Sequence, residues 1–224
     1  MAHPDDAQWQ QCWRDQHIDF HQTTIHPLLP RFWPTLGLSA ADRVFVPLCG
    51  KSLDLMWLHA QGHDVIGVEL SPIAVRAFFK ESRLQPRRVT QGELIRWEQE
   101  RLRIYCGDFF ALTAADLLGV TALYDRAALT ALPEDLRAEY VAHLLAILPA
   151  NCRQLLLTVE DLDDDESEAE ACAPSQEIAA LYGEHFAVTL QHAECFPAMF
   201  AADGGMSEGR SVHKAYLIQR HPAG

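Results

Sequence analysis

Residues 43–52 read Arg-Val-Phe-Val-Pro-Leu-Cys-Gly-Lys-Ser, and residues 64–69 read Asp-Val-Ile-Gly-Val-Glu. Each stretch holds a short apolar run typical of a buried strand, and the residues between them predict one helix that ends at Gly62. The pattern therefore predicts a strand–helix–strand unit with parallel strands and a right-handed crossover. Glu69 ends the second strand, 19 residues after Gly50. In this layout the first turn approaches a nucleotide-type ligand, and the acid accepts hydrogen bonds from ribose hydroxyls.

The rest of the chain alternates between helical and strand patterns. Helices are predicted at 5–18, 27–33, 52–60, 71–82, 114–118, 133–148 and 174–183, and strands at 43–48, 64–69, 94–97, 102–106, 122–124, 153–160, 187–195 and 212–219. The segments 94–97 and 102–106 predict a hairpin whose second limb joins the sheet, and the last two strands predict an antiparallel pair. We therefore expect an α/β, Rossmann-like, seven-stranded and mostly parallel sheet with helices on both faces. Ligands of such sheets bind at the carboxyl ends of the strands.

Composition narrows the class of protein. A chain of 224 residues with 49% apolar residues predicts one globular domain over 1–224. The net charge of −13 and the lack of a basic stripe disfavour nucleic-acid binding. Six cysteines without a CxxC motif, no apparent signal peptide and no apolar run of about 20 residues favour a cytoplasmic protein that acts on small molecules away from membranes. We expect a monomer, because no long apolar face lacks a partner in such a fold.

The turn at Gly50 narrows the choice of cofactor. A phosphate-binding P-loop needs a glycine at position 45, which is Phe45, and a dinucleotide fingerprint needs three glycines where this turn has one. A cofactor with ribose and adenine but no phosphate remains, and S-adenosylmethionine fits. Asp108 follows the predicted strand at 102–106, where it can accept from the adenine amino group, with Phe109 against the ring. A helix cap or turn is an equally good interpretation of Asp108.

Several motifs spread along the chain point to one family. They are Trp9-x3-Trp13, Phe20-His21, Phe45-x-Pro47-Leu48-Cys49-Gly50-Lys51, Gly62-His63-x2-Ile66-Gly67-Val68-Glu69-Leu70-Ser71, Tyr105-Cys106-Gly107-Asp108-Phe109-Phe110 and Tyr124-Asp125-Arg126-x-Ala128-Leu129. Together they resemble the thiopurine S-methyltransferase family in its bacterial form. The resemblance runs from Trp9 to about Arg220 and implies the class I methyltransferase fold.

The resemblance implies a cofactor site for S-adenosyl-L-methionine, with S-adenosyl-L-homocysteine as product. An N-terminal helical lid at about 5–34 is expected to close over the cofactor. The residues implied to contact the cofactor are Trp9, Trp13, Leu48, Glu69, Leu70, Asp108, Phe109 and Arg126. Glu69 would hold the ribose and Leu70 would pack on the adenine.

The resemblance also implies a substrate side. Phe20 would border both cofactor and substrate, and Arg126 would reach the methionine or substrate region. The region 197–211 matches the family poorly, and it should carry part of the substrate pocket, so the substrate stays open among thiopurines, other thiols, and the selenium and tellurium species linked with bacterial relatives.

The inferred reaction is in-line transfer of a methyl group to a thiol or selenol. Such a substrate is readily anionic, so the protein supplies alignment and exclusion of water rather than a strong base. Arg126 is the catalytic candidate, through electrostatic help to an anionic substrate. Asp125 is expected to fix Arg126 or to cap a helix locally, and a salt bridge that only holds the strand end is the alternative.

Other interpretations stay open. A thiocyanate- or halide-type methyltransferase shares the fold, and a cofactor-binding module without chemistry is a second alternative. The pairs His17/His21 and His59/His63 have zinc-compatible spacing, but no third ligand is placed, so no metal is expected. The acidic run 161–170 predicts a solvated loop.

Overall fold

A computed structural model describes residues 4–18, 21–162, 167–196 and 210–221. The helices are α1 Pro4–Asp15, α2 Leu28–Phe32, α3 Asp54–Ala60, α4 Pro72–Glu81, α5 Ala128–Ala131, α6 Glu134–Ile147, α7 Glu168–Ala171 and α8 Gln176–Tyr182, with 3-10 turns at Trp33–Leu36 and Phe109–Ala111. The strands are β1 Arg43–Val46, β2 Asp64–Glu69, β3 Arg87–Gln91, β4 Leu94–Gln99, β5 Leu102–Cys106, β6 Val120–Arg126, β7 Arg153–Asp161, β8 Phe186–Phe196 and β9 Ser211–Arg220.

Within these described ranges, nine strands form one sheet in the order β3-β4-β5-β2-β1-β6-β7-β9-β8. The five central strands β5, β2, β1, β6 and β7 are parallel, and the strands at both edges are antiparallel. The α/β fold with a parallel centre and an antiparallel C-terminal pair is confirmed, but the expected count of seven strands is wrong. The additional strands are β3 and the hairpin limb β4.

Strand β3 escaped sequence-based prediction because of its composition. Its sequence, Arg-Arg-Val-Thr-Gln, is mostly polar and exposed, and it lies at the edge of the sheet with β4 as its neighbour. An edge strand does not need the continuous apolar run of a central strand, so hydrophobic patterning gives it little signal.

The two faces of the sheet carry separate apolar cores. Alternate side chains of β1 divide between them, since Phe45 lies in one core while Val44 and Val46 lie in the other. The Phe45 core includes Tyr140 and Leu144 of α6, and the opposite core includes residues of α2, α3 and α4. The helices therefore cover both faces, and the carboxyl ends of the central strands stay open for a ligand.

Two local expectations are corrected. The helix expected at 114–118 is a series of turns, because the Asp116 carboxylate accepts from the backbone and hydroxyl groups of Thr113 and closes a turn there. The acidic run 161–170 is only partly a loop, since Glu168–Ala171 forms α7 with Ser167 and Glu170 in a capping box. Residues 163–166 lie outside the described residues.

In the described part of the chain, none of the helices has the length and hydropathy to cross a bilayer.

Candidate active site

A cavity of about 360 Å³ lies where β1, β2, β5 and β6 end, at the centre of the sheet. Its volume suits a ligand of nucleoside size. Eight of the nine residues predicted for the site line it: Trp9, Trp13, Leu48, Glu69, Leu70, Asp108, Phe109 and Arg126. The ninth, Phe20, lies outside the described residues. The fold thus gathers side chains from positions 9 to 126 of the sequence around one space.

The turn after β1 forms one wall of this cavity. Leu48 and Gly50 both have positive φ angles, of 42° and 54°, so the chain reverses sharply without a regular helix start. The Cys49 amide donates to the carbonyl of Val68 at 2.9 Å, which ties the turn to the end of β2. A Cβ atom on Gly50 would lie 3.4 Å from the Trp13 ring, so α1 covers the turn closely. The turn therefore brings Leu48, Cys49 and Gly50 to the wall of the cavity.

Glu69 is the buried acid of this wall, with 7% of its surface exposed. One carboxylate oxygen accepts from the Gly50 amide at 2.8 Å, and the other accepts from the Ser71 amide at 2.7 Å. Burial raises the pKa of Glu69 to about 7, although the backbone amides of Ser71, Gly50 and Leu70 act in the opposite direction. A carboxylate has about four acceptor positions, so two remain for hydroxyl donors of a ligand.

Asp108 and Phe109 form a second wall. The Asp108 carboxylate accepts from the Phe110 amide at 2.9 Å, so the capping interpretation of this residue holds while it also lines the cavity. Phe109 is buried, with ring centroids 4.9 Å from Tyr140 and 6.5 Å from Phe45. Its packing fixes an apolar edge on which a planar base can rest.

The opposite end of the cavity carries Arg126. Its Nε atom lies 3.8 Å from an oxygen of Asp54, a carboxylate with 1% of its surface exposed. The Tyr124 hydroxyl and the His26 amide each donate to Asp54 at 2.9 Å. Asp54 therefore connects Arg126 to α3, to β6 and to the segment before α2.

Sequence reasoning missed Asp54 and predicted that Asp125 either fixes Arg126 or caps a helix locally. The Asp125 carboxylate instead accepts from the Ala128 and Leu129 amides and, at 2.6 Å, from the Tyr140 hydroxyl. Asp125 is thus the local helix cap, as one of the two expectations stated, and burial raises its pKa to about 6. In the sequence, Asp54 is marked by its position alone: it is an acid in the first turn of the helix that follows Gly50.

His21 and Lys51 also line the cavity, and neither was predicted to belong to the site. Burial and the nearby cations Lys51 and Arg126 lower the pKa of His21, against Glu81, so its imidazole is neutral near pH 7. Lys51 lies 2.9 Å from Glu81 at the cavity rim. Two cations, Lys51 and Arg126, thus line the cavity, and each lies within 4 Å of a carboxylate oxygen, of Glu81 and Asp54 respectively.

The described segments hold no group of three or more His, Cys, Asp or Glu side chains placed to bind a metal ion.

The parallel centre of the sheet and the cavity at its carboxyl edge define a Rossmann-like α/β fold with a site for a small ligand. Two solved structures share this fold with 15% sequence identity. A SAM-dependent methyltransferase from Anabaena variabilis aligns with a TM-score of 0.63 over 98% of this chain and 96% of its own. A 1,6-didemethyltoxoflavin-N1-methyltransferase from Burkholderia thailandensis, solved with S-adenosylhomocysteine, aligns with a TM-score of 0.61 over 98% and 92%.

Sequence comparison narrows this class to one family. The sequence model of the family described as Thiopurine S-methyltransferase matches residues 4–220. A thiopurine S-methyltransferase of Stutzerimonas stutzeri (strain A1501) is 48% identical over 225 residues, covering 100% of this chain and 94% of the relative. The chain belongs to the thiopurine S-methyltransferase family.

Proposed function

We propose that this protein transfers the methyl group of S-adenosyl-L-methionine to the sulfur of a small thiol, such as a thiopurine or an aromatic thiol. The observation that carries the proposal is one cavity with a buried hydrogen-bond acceptor, Glu69, at one end and a held cation, Arg126, at the other. Family membership supports the reaction type.

The residues of the cavity fit this cofactor. Glu69 keeps acceptor positions for two ribose hydroxyls, and Leu70 with Phe109 supplies apolar surface for the adenine. Leu48 offers backbone groups near the methionine part, and the turn lacks the glycines that a triphosphate or pyrophosphate needs. When bound, S-adenosylmethionine supplies an electrophilic methyl group on a sulfonium.

The protein's own contribution is position and charge. Arg126, oriented by Asp54, attracts and aligns an anionic thiolate at the open end of the cavity. Trp9 and Trp13 of α1 lie over the cofactor wall and exclude water from it. An acidic thiol loses its proton to solvent near pH 7, so the site needs no strong general base.

A direct assay tests the reaction. Purified protein is incubated with methyl-labelled S-adenosylmethionine and 6-mercaptopurine. The products are then separated by chromatography and identified by mass spectrometry. The expected result is label on the thiopurine sulfur together with an equal amount of S-adenosylhomocysteine. Cofactor binding without any methyl product on mercaptopurine, thiophenol, selenite or tellurite would instead indicate a binding module without chemistry. Preferential methylation of iodide or thiocyanate would favour the halide- or thiocyanate-type alternative.

We also propose that the protein works as a cytoplasmic monomer without nucleic-acid partners. The net charge of −13 supports the exclusion of nucleic acid. Light scattering on the eluting peak of a size-exclusion column tests the oligomeric state, and a mass near 25.2 kDa is expected.

A further inference from the structure

Two cysteines outside the cavity lie side by side. Cys172 follows α7, Cys195 lies near the end of β8, and their sulfur atoms are 3.5 Å apart. Both side chains are half-exposed, whereas Cys49, Cys106 and Cys152 are buried. The pair is therefore both close enough to react with each other and open to small reagents.

The surroundings of the pair favour bond formation over simple packing. Leu162, Ala171 and Val212 form a small apolar cluster beneath the two thiols, and this cluster already holds α7 against β9. A disulfide has a sulfur–sulfur distance of about 2.05 Å, so the two atoms need to approach by only about 1.5 Å. Rotation of two half-exposed side chains can supply much of this movement without displacing the cluster.

We propose that Cys172 and Cys195 form a redox site that closes into an intramolecular disulfide under mild oxidation and reopens with a thiol reductant. With hydrogen peroxide as oxidant, one thiolate attacks a peroxide oxygen and becomes a sulfenic acid, releasing hydroxide. The second thiolate attacks that sulfur and displaces a second hydroxide, and the two protons lost by the thiols convert both hydroxides to water. The two thiols lose two electrons and two protons, and one hydrogen peroxide becomes two waters.

The charges around Cys172 and Cys195 influence the rate at which the two thiols are oxidised. Partial burial, the contact with Cys172 and the nearby Glu168 raise the pKa of Cys195, while Arg210 acts in the opposite direction. The thiolate is therefore scarce at neutral pH, and oxidation should accelerate between pH 7 and pH 9. This dependence separates the pair from low-pKa catalytic cysteines.

The bond would connect two outer parts of the fold. Strand β8 is an edge strand of the sheet, and Cys172, directly after α7, precedes Cys195 by 23 residues. A closed loop of this length restricts the unfolded chain, so the melting temperature should rise by about 5 °C or more on oxidation.

The test is a thiol count on the full-length protein. The protein is treated with a small excess of hydrogen peroxide at pH 8, unfolded and alkylated, and its intact mass and tryptic peptides are measured. We expect two of the six thiols to be protected, a peptide joining Cys172 to Cys195, and full recovery with dithiothreitol. The variants Cys172→Ser and Cys195→Ser should each abolish the protection. Cys12→Ser, at another half-exposed cysteine, should retain it.

Three results would overturn the proposal: six thiols still alkylated, a disulfide between other cysteines, or oxygen added to single cysteines without a bond. The wild-type peptide map decides among these outcomes even if one of the serine variants does not fold. Neither the presence nor the absence of the bond depends on the methyl-transfer activity, so this test is independent of the function proposed above.

Discussion

The two ends of the cavity hold buried carboxylates in different ways. At the ribose end, Glu69 is held by the amides of Gly50 and Ser71, and burial raises its pKa to about 7. At the arginine end, Asp54 is held by a hydroxyl and an amide and lies beside the cation Arg126. From this difference we infer that Glu69 receives ligand hydroxyls, while Asp54 positions the Arg126 side chain. Variants at the two ends should therefore affect different quantities.

The largest effect is expected at the ribose end. Glu69→Ala removes the proposed acceptor of two ribose hydroxyls, and hydrogen bonds to a charged group contribute about 1.5–3 kcal/mol each. The dissociation constant of S-adenosylhomocysteine should rise by roughly 100-fold or more in isothermal titration. Glu177→Ala, at an exposed glutamate paired with Arg137, is the control and should leave the affinity unchanged.

If Glu69→Ala bound S-adenosylhomocysteine with unchanged affinity, the two ends of the cavity would not differ in their role in cofactor binding. In that case the cofactor would not be held through this carboxylate, and the assignment of the β2 end as a ribose site would be wrong.

A smaller and different effect is expected at the arginine end. Asp54→Asn keeps the shape and can keep contacts with Tyr124 and the His26 amide, but removes the negative charge beside Arg126. We expect kcat/KM for a thiopurine to fall by about 10- to 30-fold, while the affinity for S-adenosylhomocysteine changes by less than about twofold. Steady-state kinetics and titration on the same preparation check this separation.

Tyr124→Phe is the matched variant for Asp54→Asn. It removes one donor to Asp54 and leaves the charge beside Arg126 in place. Its kcat/KM should fall less than that of Asp54→Asn. A loss of cofactor affinity in both variants, equal to the loss of kcat/KM, would mean that Asp54 supports the whole cavity rather than Arg126.

The raised pKa of Glu69 predicts a pH dependence confined to the ribose end. The ionised form offers acceptors on both oxygens, whereas protonation turns one of them into a donor. Affinity for S-adenosylhomocysteine should therefore fall as the pH drops below about 7, and the dissociation constant should be about tenfold higher at pH 6 than at pH 8. Titrations at pH 6, 7 and 8 measure this slope, which Glu69→Gln should flatten. An equal slope in both proteins would assign the titration to another group.

The smallest effect concerns the turn itself. Gly50→Ala adds a Cβ atom at a positive φ of 54° and 3.4 Å from the Trp13 ring. The backbone cost is about 1 kcal/mol, or roughly 2–4 °C in melting temperature. Because the Gly50 amide donates to Glu69, relaxation of this turn should weaken cofactor binding by about threefold. Gly92→Ala is the control, since Gly92 has a similar φ of 60° and open space around the added atom. Both variants should lose stability, and only Gly50→Ala should lose affinity.

The two ends of the cavity also differ in how well the sequence predicts them. Glu69 and Gly50 belong to one strand–helix–strand unit whose apolar runs and turn are contiguous, so their proximity follows from local patterning. The contact between Asp54 and Arg126 joins the helix after β1 to the end of β6, and it depends on strand order in the sheet. Sequence reasoning therefore found Arg126 and predicted Asp125 either as its partner or as a local helix cap. The structure shows Asp125 as the cap and Asp54 beside Arg126.

Other parts of the molecule also depend on contacts that local sequence patterns do not reveal. Strand β3 has no apolar pattern and forms because β4 offers a free edge. The predicted site residue Phe20 and most of the 197–211 region lie outside the described residues, so their roles stay predictions.

The most direct test of the central claim is a set of parallel isothermal titrations of the wild-type protein with S-adenosylhomocysteine, NAD and ATP. The arrangement of Glu69, the Gly50 turn and Arg126 predicts binding of S-adenosylhomocysteine alone, at a stoichiometry of one per chain. Binding of NAD or ATP without S-adenosylhomocysteine would contradict it, because the turn would then hold phosphates.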